Sequence, residues 1–263
     1  MGKKLAIRSV PDYFLARGRY TATTGEIAEL LELSEGAVRV GMNRLRRQRL
    51  AFSPARGLYA FVPPHYRVWG VLPAEWFVDD LMRHLRRDYY VSLLSAAARH
   101  GASHQRPQVF QVLTDKPTAD RDLDRIRLRF FTSRAVDQAA TETINTPAGT
   151  MEVATKETTV SDLVAHPRAA GGLSNIATII HEIGPISGAE LARASAIHPR
   201  SHARRIGWLV EHYSERPPDL EELEQLAKPR QGVPTRISPG APKRGPFDKR
   251  WGVQVNTDIA PDV

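Results

Sequence analysis

Between Val38 and Arg49 the chain carries Arg39, Asn43, Arg44, Arg46, Arg47 and Arg49. An arginine fork can donate two hydrogen bonds to guanine, and an asparagine can do the same for adenine. A guanidinium aimed at a phosphate positions a protein on a duplex without reading its sequence. Arg39, Asn43 and Arg46 recur at i, i+4 and i+7, so a helix would hold them on one face. Val38, Met42 and Leu45 recur at the same spacing on another face, beside Gly41, which permits close helix approach. Carboxylates are absent between Val38 and Tyr59, so i,i+4 ion pairs are not expected to account for the arginines.

These residues read as a recognition helix for duplex DNA, with one stripe anchored on a core and another entering the major groove. Arg39 and Asn43 are the expected base readers, with Gly36 close to the base edges. Thr23, Ser34, Arg44, Arg46 and Arg47 are expected at phosphates, with Arg49 flanking them. Arg56 is expected at the tip of a wing, on a phosphate or in the minor groove. Two rival readings remain open: a merely solvated helix face, and a winged helix that docks a protein or RNA. The exposed face shows no stacking aromatics, which argues against single-stranded RNA.

Catalytic constellations are thinner. His100, Ser103 and His104 follow Ser92 and Ser95, but no G-x-S-x-G elbow accompanies them. His100 stands just before Gly101, at an expected helix end that suits a histidine. His181-Glu182 lacks the second histidine of a zinc-protease helix. Asp120, Asp122 and Asp124 alternate, yet Arg121 and Arg125 interleave them and the glycine and distal glutamate of a calcium loop are missing. A solvated, self-paired loop is expected there. No lysine follows Gly171-Gly172 to make a phosphate loop. With no cysteine, thiol nucleophiles, disulfides and cysteine zinc sites are excluded. The chain is read as having no catalytic site, no metal and no cofactor.

The elements that must position the arginines come next. A helix is expected over 7–18. A second opens on a capping box of Thr23 and Glu26 and ends near Leu33. Ser34 caps a third that runs to about Gln48. Residues 51–53 and 58–62 read as strands around the turn Pro54-Ala55-Arg56-Gly57. Residues 1–66 therefore form the expected winged helix-turn-helix, and 67–73 a proline-bounded linker. Residues 74–263 form a larger mixed domain, so the fold class is α+β. In it, helices are expected over 74–87, 88–100, 158–166, 172–183, 187–195, 200–213 and 219–227. Strands are expected at 109–113, 126–131 and 250–257, and a hairpin at 141–154. Residues 228–247 read as a loop. Arg193, Arg200, Arg204 and Arg205, with His198 and His202, form a possible second basic patch.

The 263 residues carry a net charge of +8, which suits a polyanionic partner. No run approaches the ~20 apolar residues of a membrane span, and the start lacks a secretory pattern, so a cytoplasmic protein is expected.

Several segments resemble the AbiEi-type antitoxins of type IV toxin–antitoxin systems, mycobacterial members in particular. They are Tyr89-Tyr90-Val91-Ser92-Leu93-Leu94-Ser95-Ala96-Ala97, His100-Gly101-Ala102-Ser103-His104 and Gln108-Val109-Phe110-Gln111-Val112. Further along come Thr159-Val160-Ser161-Asp162-Leu163-Val164, Gly171-Gly172-Leu173, Arg204-Arg205-Ile206-Gly207-Trp208-Leu209-Val210 and Trp251-Gly252-Val253-Gln254-Val255-Asn256. The resemblance implies a transcriptional autorepressor that binds inverted repeats in its own promoter, and an antitoxin that opposes a nucleotidyltransferase-like toxin. Whether such a toxin is bound directly is left open.

Overall fold

The computed structural model describes residues 5–102, 109–228 and 234–262. Ser103, His104 and part of the 228–247 stretch lie outside the described residues. The architecture is α+β.

The first unit runs α1 (Val10–Leu15), β1 (Thr21–Thr23), α2 (Thr24–Leu31), α3 (Glu35–Arg47), β2 (Ala51–Ala55) and β3 (Leu58–Phe61). Its sheet is antiparallel in the order β1-β3-β2. This is the element order of a winged helix-turn-helix, with β1 an addition to the expected set. Val10, Phe14, Ile27, Leu31, Val38, Met42 and Leu45 pack against Ala22, Tyr59 and Phe61 of that sheet.

The second unit begins with α4 (Val78–Leu85), β4 (Tyr89–Val91), α5 (Leu93–Arg99) and β5 (Val109–Thr114). Next come β6 (Arg121–Leu123), β7 (Ile126–Thr132), β8 (Thr141–Thr146) and β9 (Gly149–Ala154). These strands make a six-stranded mixed sheet in the order β6-β7-β5-β4-β9-β8. Five helices follow: α6 (Lys156–Ala165), α7 (Leu173–Glu182), α8 (Gly188–Ala196), α9 (Arg200–Tyr213) and α10 (Glu221–Ala227). A small sheet of β10 (Thr235–Arg236), β11 (Phe247–Asp248) and β12 (Val253–Gln254) closes the described chain.

Three sequence expectations fail here. The loop expected over 228–247 holds β10 and the start of β11, both paired with β12. The expected helix over 88–100 opens instead with strand β4, because Tyr89, Tyr90 and Val91 pair with β5 and β9. The expected loop at 120–124 contains β6, paired with β7. Its self-pairing runs to a different arginine: Arg129 contacts Asp122 at 2.8 Å and Asp120 at 3.5 Å.

The two units share a wall. Along β3 and into Val62, Leu58, Ala60 and Val62 join the core of the second unit, while Tyr59 and Phe61 join that of the first. Successive strand residues point to opposite faces, so the small sheet is buried on both. Phe52 meets Phe77 edge to face at 5.3 Å, and the Thr21 hydroxyl donates to Asp80 at 2.5 Å. In the 67–73 stretch Val71 and Leu72 are buried in that same core. Helix α3 is thereby held at a set angle to the second unit.

Farther on, Gly207 of α9 lies under Trp251, where an added Cβ would come within 2.1 Å of the indole. The indole N–H donates to Glu211 at 2.6 Å. The glycine and tryptophan of the closing motifs therefore make one packing contact.

Candidate nucleic-acid interface

The turn between α2 and α3 is built by local chemistry. The Thr23 hydroxyl accepts from Glu26 N at 3.2 Å and Glu26 accepts from Thr23 N at 2.7 Å, the reciprocal cap expected of this pair. Glu32 ends α2 in the left-handed region at φ 52°. Ser34 then caps α3, accepting from Ala37 N at 3.3 Å.

On α3, Val38, Gly41, Met42 and Leu45 are buried. Stepping 100° per residue, the side opposite that stripe is centred on Gly36, Val40, Asn43 and Arg47, all exposed. Arg39 and Arg46 lie on one flank of it and Arg44 on the other. Sequence reasoning passed over Val40, which is 60% exposed, a large aliphatic in the middle of a basic face. Its i−4 and i+7 spacing from Gly36 and Arg47 was the available signal.

The expectation that no ion pair engages the arginines is corrected. Arg39 contacts Glu35, one turn earlier, at 2.6 Å. Glu35 lies just N-terminal to the carboxylate-free stretch that begins at Val38. Arg46 donates to Asn43 at 3.3 Å. Arg44 and Arg47 have no ion pair or hydrogen-bond partner among the described residues.

Other expected contacts are engaged elsewhere. The Thr23 hydroxyl is committed to its cap and half-buried. Arg49 donates to Val68 O at 3.2 Å and packs on Gly70, holding the chain that leaves the winged helix. Ala55 pairs with Leu58 and Thr23 also pairs with Leu58, so the β2–β3 turn ends level with β1 rather than reaching past it. The tip is tied down: Gly57 O accepts from Thr24 N at 2.8 Å, Arg56 O from His84 Nε2 at 3.0 Å and Pro54 O from Arg121 Nε at 3.1 Å. The Arg56 side chain itself is exposed.

The second basic patch does not exist as a surface. Arg204 is 7% exposed and donates to Ala227 O at 2.9 Å and the Thr235 hydroxyl at 3.1 Å. Arg205 donates to Arg236 O at 2.9 Å. His202 is buried against Ser161 at 3.1 Å, and Arg193 pairs with Glu190. Arginine forks can tie chain segments together as well as bind phosphate, and composition does not separate the two uses. Of the four arginines only Arg193 and Arg200 are exposed.

Ser92, Ser95 and His100 are hydrogen-bonded within the fold. Ser92 donates to Asp162 at 2.5 Å in a buried pair, and burial pushes the Asp162 carboxyl up to about 7 against that hydrogen bond. Ser95 donates to Val109 O at 3.3 Å, and His100 Nε2 meets Ala154 O at 2.8 Å. Among the described residues no cluster of three His, Cys, Asp or Glu has metal-holding geometry. No helix there is long and apolar enough to cross a membrane.

A strand, a buried serine–aspartate pair and a helix bundle thus surround the segments whose motifs resembled antitoxins. Residues 90–212 match the family model described as the AbiEi antitoxin C-terminal domain. The second unit contains an AbiEi antitoxin domain. The whole fold is also similar to the crystal structure of RV2827C protein from Mycobacterium tuberculosis, with a TM-score of 0.66 and 15% identity. That alignment covers 94% of this chain and 89% of the other. At such identity the likeness speaks for the fold alone. No curated protein matches the chain. The AbiEi domain contains β4, whose Tyr90 and Val91 are central in the sheet, and the Ser92–Asp162 pair at its heart. The match supports an antitoxin or regulatory role.

Proposed function

We propose that the chain is a DNA-binding autorepressor of its own operon whose AbiEi domain opposes a nucleotidyltransferase-like toxin. The observation that carries the DNA reading is the outward face of α3, where Arg44 and Arg47 stand without carboxylate partners among the described residues. Phosphates are the natural counter-charge for such a face, and their contacts release counterions. Arg39 and Asn43 read base edges. Val40 lies against a thymine methyl, the apolar group a major groove offers. Ser34, Arg44, Arg46 and Arg47 position the helix on phosphates. Two copies on an inverted repeat is the matching geometry.

The test is a titration of the full chain on duplex DNA from upstream of its own gene, with random duplex as control at two salt concentrations. Preference for the upstream DNA by orders of magnitude supports the repressor. Equal binding to both refutes autoregulation. No binding at all favours a docking module for a protein partner, a reading supported by the exposed Leu33 just before α3 and Val40 within it. Co-expression with a nucleotidyltransferase-like toxin tests the antitoxin half: growth should be restored by the AbiEi chain and not by an empty vector.

A further inference from the structure

A cleft of about 650 Å³ separates the wing-side flank of α3 from the AbiEi domain. Asn43, Arg46 and Arg47 line one wall, and Asp122, Leu123 and Asp124 of the β6–β7 hairpin line the other. In a winged helix one DNA backbone runs between the recognition helix and the wing. Here the β2–β3 turn ends level with β1 and is pinned by His84 and Arg121, so it offers no such arm.

The β6–β7 hairpin stands in its place. Leu123 pairs with Ile126, leaving Asp124 and Arg125 as a two-residue tip, and Asp122 pairs with Arg127. Directly opposed strand residues share a face, so Arg127 lies on the side of the hairpin where Asp122 meets the cleft. Arg125 and Arg127 are exposed and have no ion pair or hydrogen-bond partner among the described residues. Asp122 is neutralised by Arg129, which leaves Asp124 against two free guanidiniums. The hairpin cannot swing freely, since Arg121 ties it to Pro54 O and its sheet shares a core with β3.

We propose that the β6–β7 hairpin of the AbiEi domain serves as the protein's wing, with Arg125 and Arg127 holding phosphates of the DNA strand that runs along α3. This rests on the DNA-binding reading above. The chain then needs both units on the duplex, and a fragment ending at residue 66 lacks these two phosphate-holding arginines.

The experiment compares the full-length wild type with Arg125→Ala/Arg127→Ala, Arg125→Lys/Arg127→Lys and Arg47→Ala, titrated by fluorescence anisotropy on upstream and random duplexes over several salt concentrations. The double alanine variant should bind both duplexes more weakly, and the slope of log K against log salt should shrink by about one per arginine removed. The double lysine variant should keep the wild-type slope. A double alanine variant with wild-type affinity and slope, while Arg47→Ala is weakened, overturns the hairpin's role alone. A wild type that binds neither duplex overturns the DNA reading and the hairpin's role together. A photo-crosslinking residue at position 125 gives a second measurement that does not depend on affinity. Crosslinks beside the α3 site support the assignment, and no crosslink from a bound complex overturns it.

Discussion

Glu35 and Arg39 stand one turn apart on α3 and close a 2.6 Å ion pair at the edge of its outward face. Both side chains are about half exposed, so such a pair contributes only a few tenths of a kcal/mol. It aims the guanidinium without locking it, and a guanine edge can take the carboxylate's place. Arg39→Ala should therefore relax sequence preference and cost about 1–3 kcal/mol on the preferred site. Asn43→Ala should do the same at a different base pair. Binding to a panel of single-base operator variants checks both; equal losses on preferred and random DNA would move either residue to the phosphate class.

Val40 makes a separate forecast. Its exposure means that Val40→Ala should leave stability within about 0.5 kcal/mol. Replacing one operator thymine with uracil removes a methyl group and should weaken the wild type by about 1 kcal/mol. The alanine variant should be indifferent to that replacement. A uracil scan of the operator measures it, and equal sensitivity in both proteins would exclude the methyl contact.

Arg47 is the unpaired guanidinium at the centre of the outward face. Arg47→Ala should weaken binding to all duplexes alike and lower the salt slope by about one. A loss confined to one sequence would make it a base reader instead.

Arg204 should behave as a structural tie. Arg204→Ala leaves the Ala227 and Thr235 acceptors without their donor, at a cost of about 2–4 kcal/mol. Lysine should not restore it, because one ammonium cannot reproduce a planar fork. Thermal melting should show the drop, while the folded variant keeps wild-type DNA affinity. Normal melting with weakened binding would return Arg204 to the nucleic-acid surface.

Two buried groups give opposed pH slopes. Burial, helped by His198, Arg205 and His166, holds the His202 imidazole down at about 3, below its ordinary 6.5. The unfolded chain then binds the extra proton first, so this group removes stability as pH falls from about 6.5 toward 3. Asp162 is raised from 3.8 to about 7, so the folded state keeps a proton the unfolded state has lost, and stability falls as pH rises across that window. Denaturant melts from pH 4 to 8 should show His202→Gln losing the acid-side decline and Asp162→Asn losing the opposite one. Variants parallel to the wild type would mean that these groups titrate alike in both states.

The amino-acid sequence by itself determined what depends on neighbours within a turn or two. The Thr23–Glu26 box, the Ser34 cap and the Val38, Met42 and Leu45 stripe are local, and all were legible. The motifs of the AbiEi domain were legible in order, although the Tyr89–Val91 strand was not, because three residues have no periodicity to read.

Tertiary structure alone decided which arginines are spent and which are free. Arg49, Arg121 and Arg204 hold carbonyls distant in sequence, while Arg47, Arg125 and Arg127 were left with solvent. A guanidinium reads the same in composition whether its acceptor is a backbone oxygen or a phosphate, so only the packed chain separates the two. The run from Leu58 to Val62 likewise announced a strand, but not that its outer face would be covered by the AbiEi domain. That long-range contact sets α3 and the β6–β7 hairpin on opposite walls of one cleft.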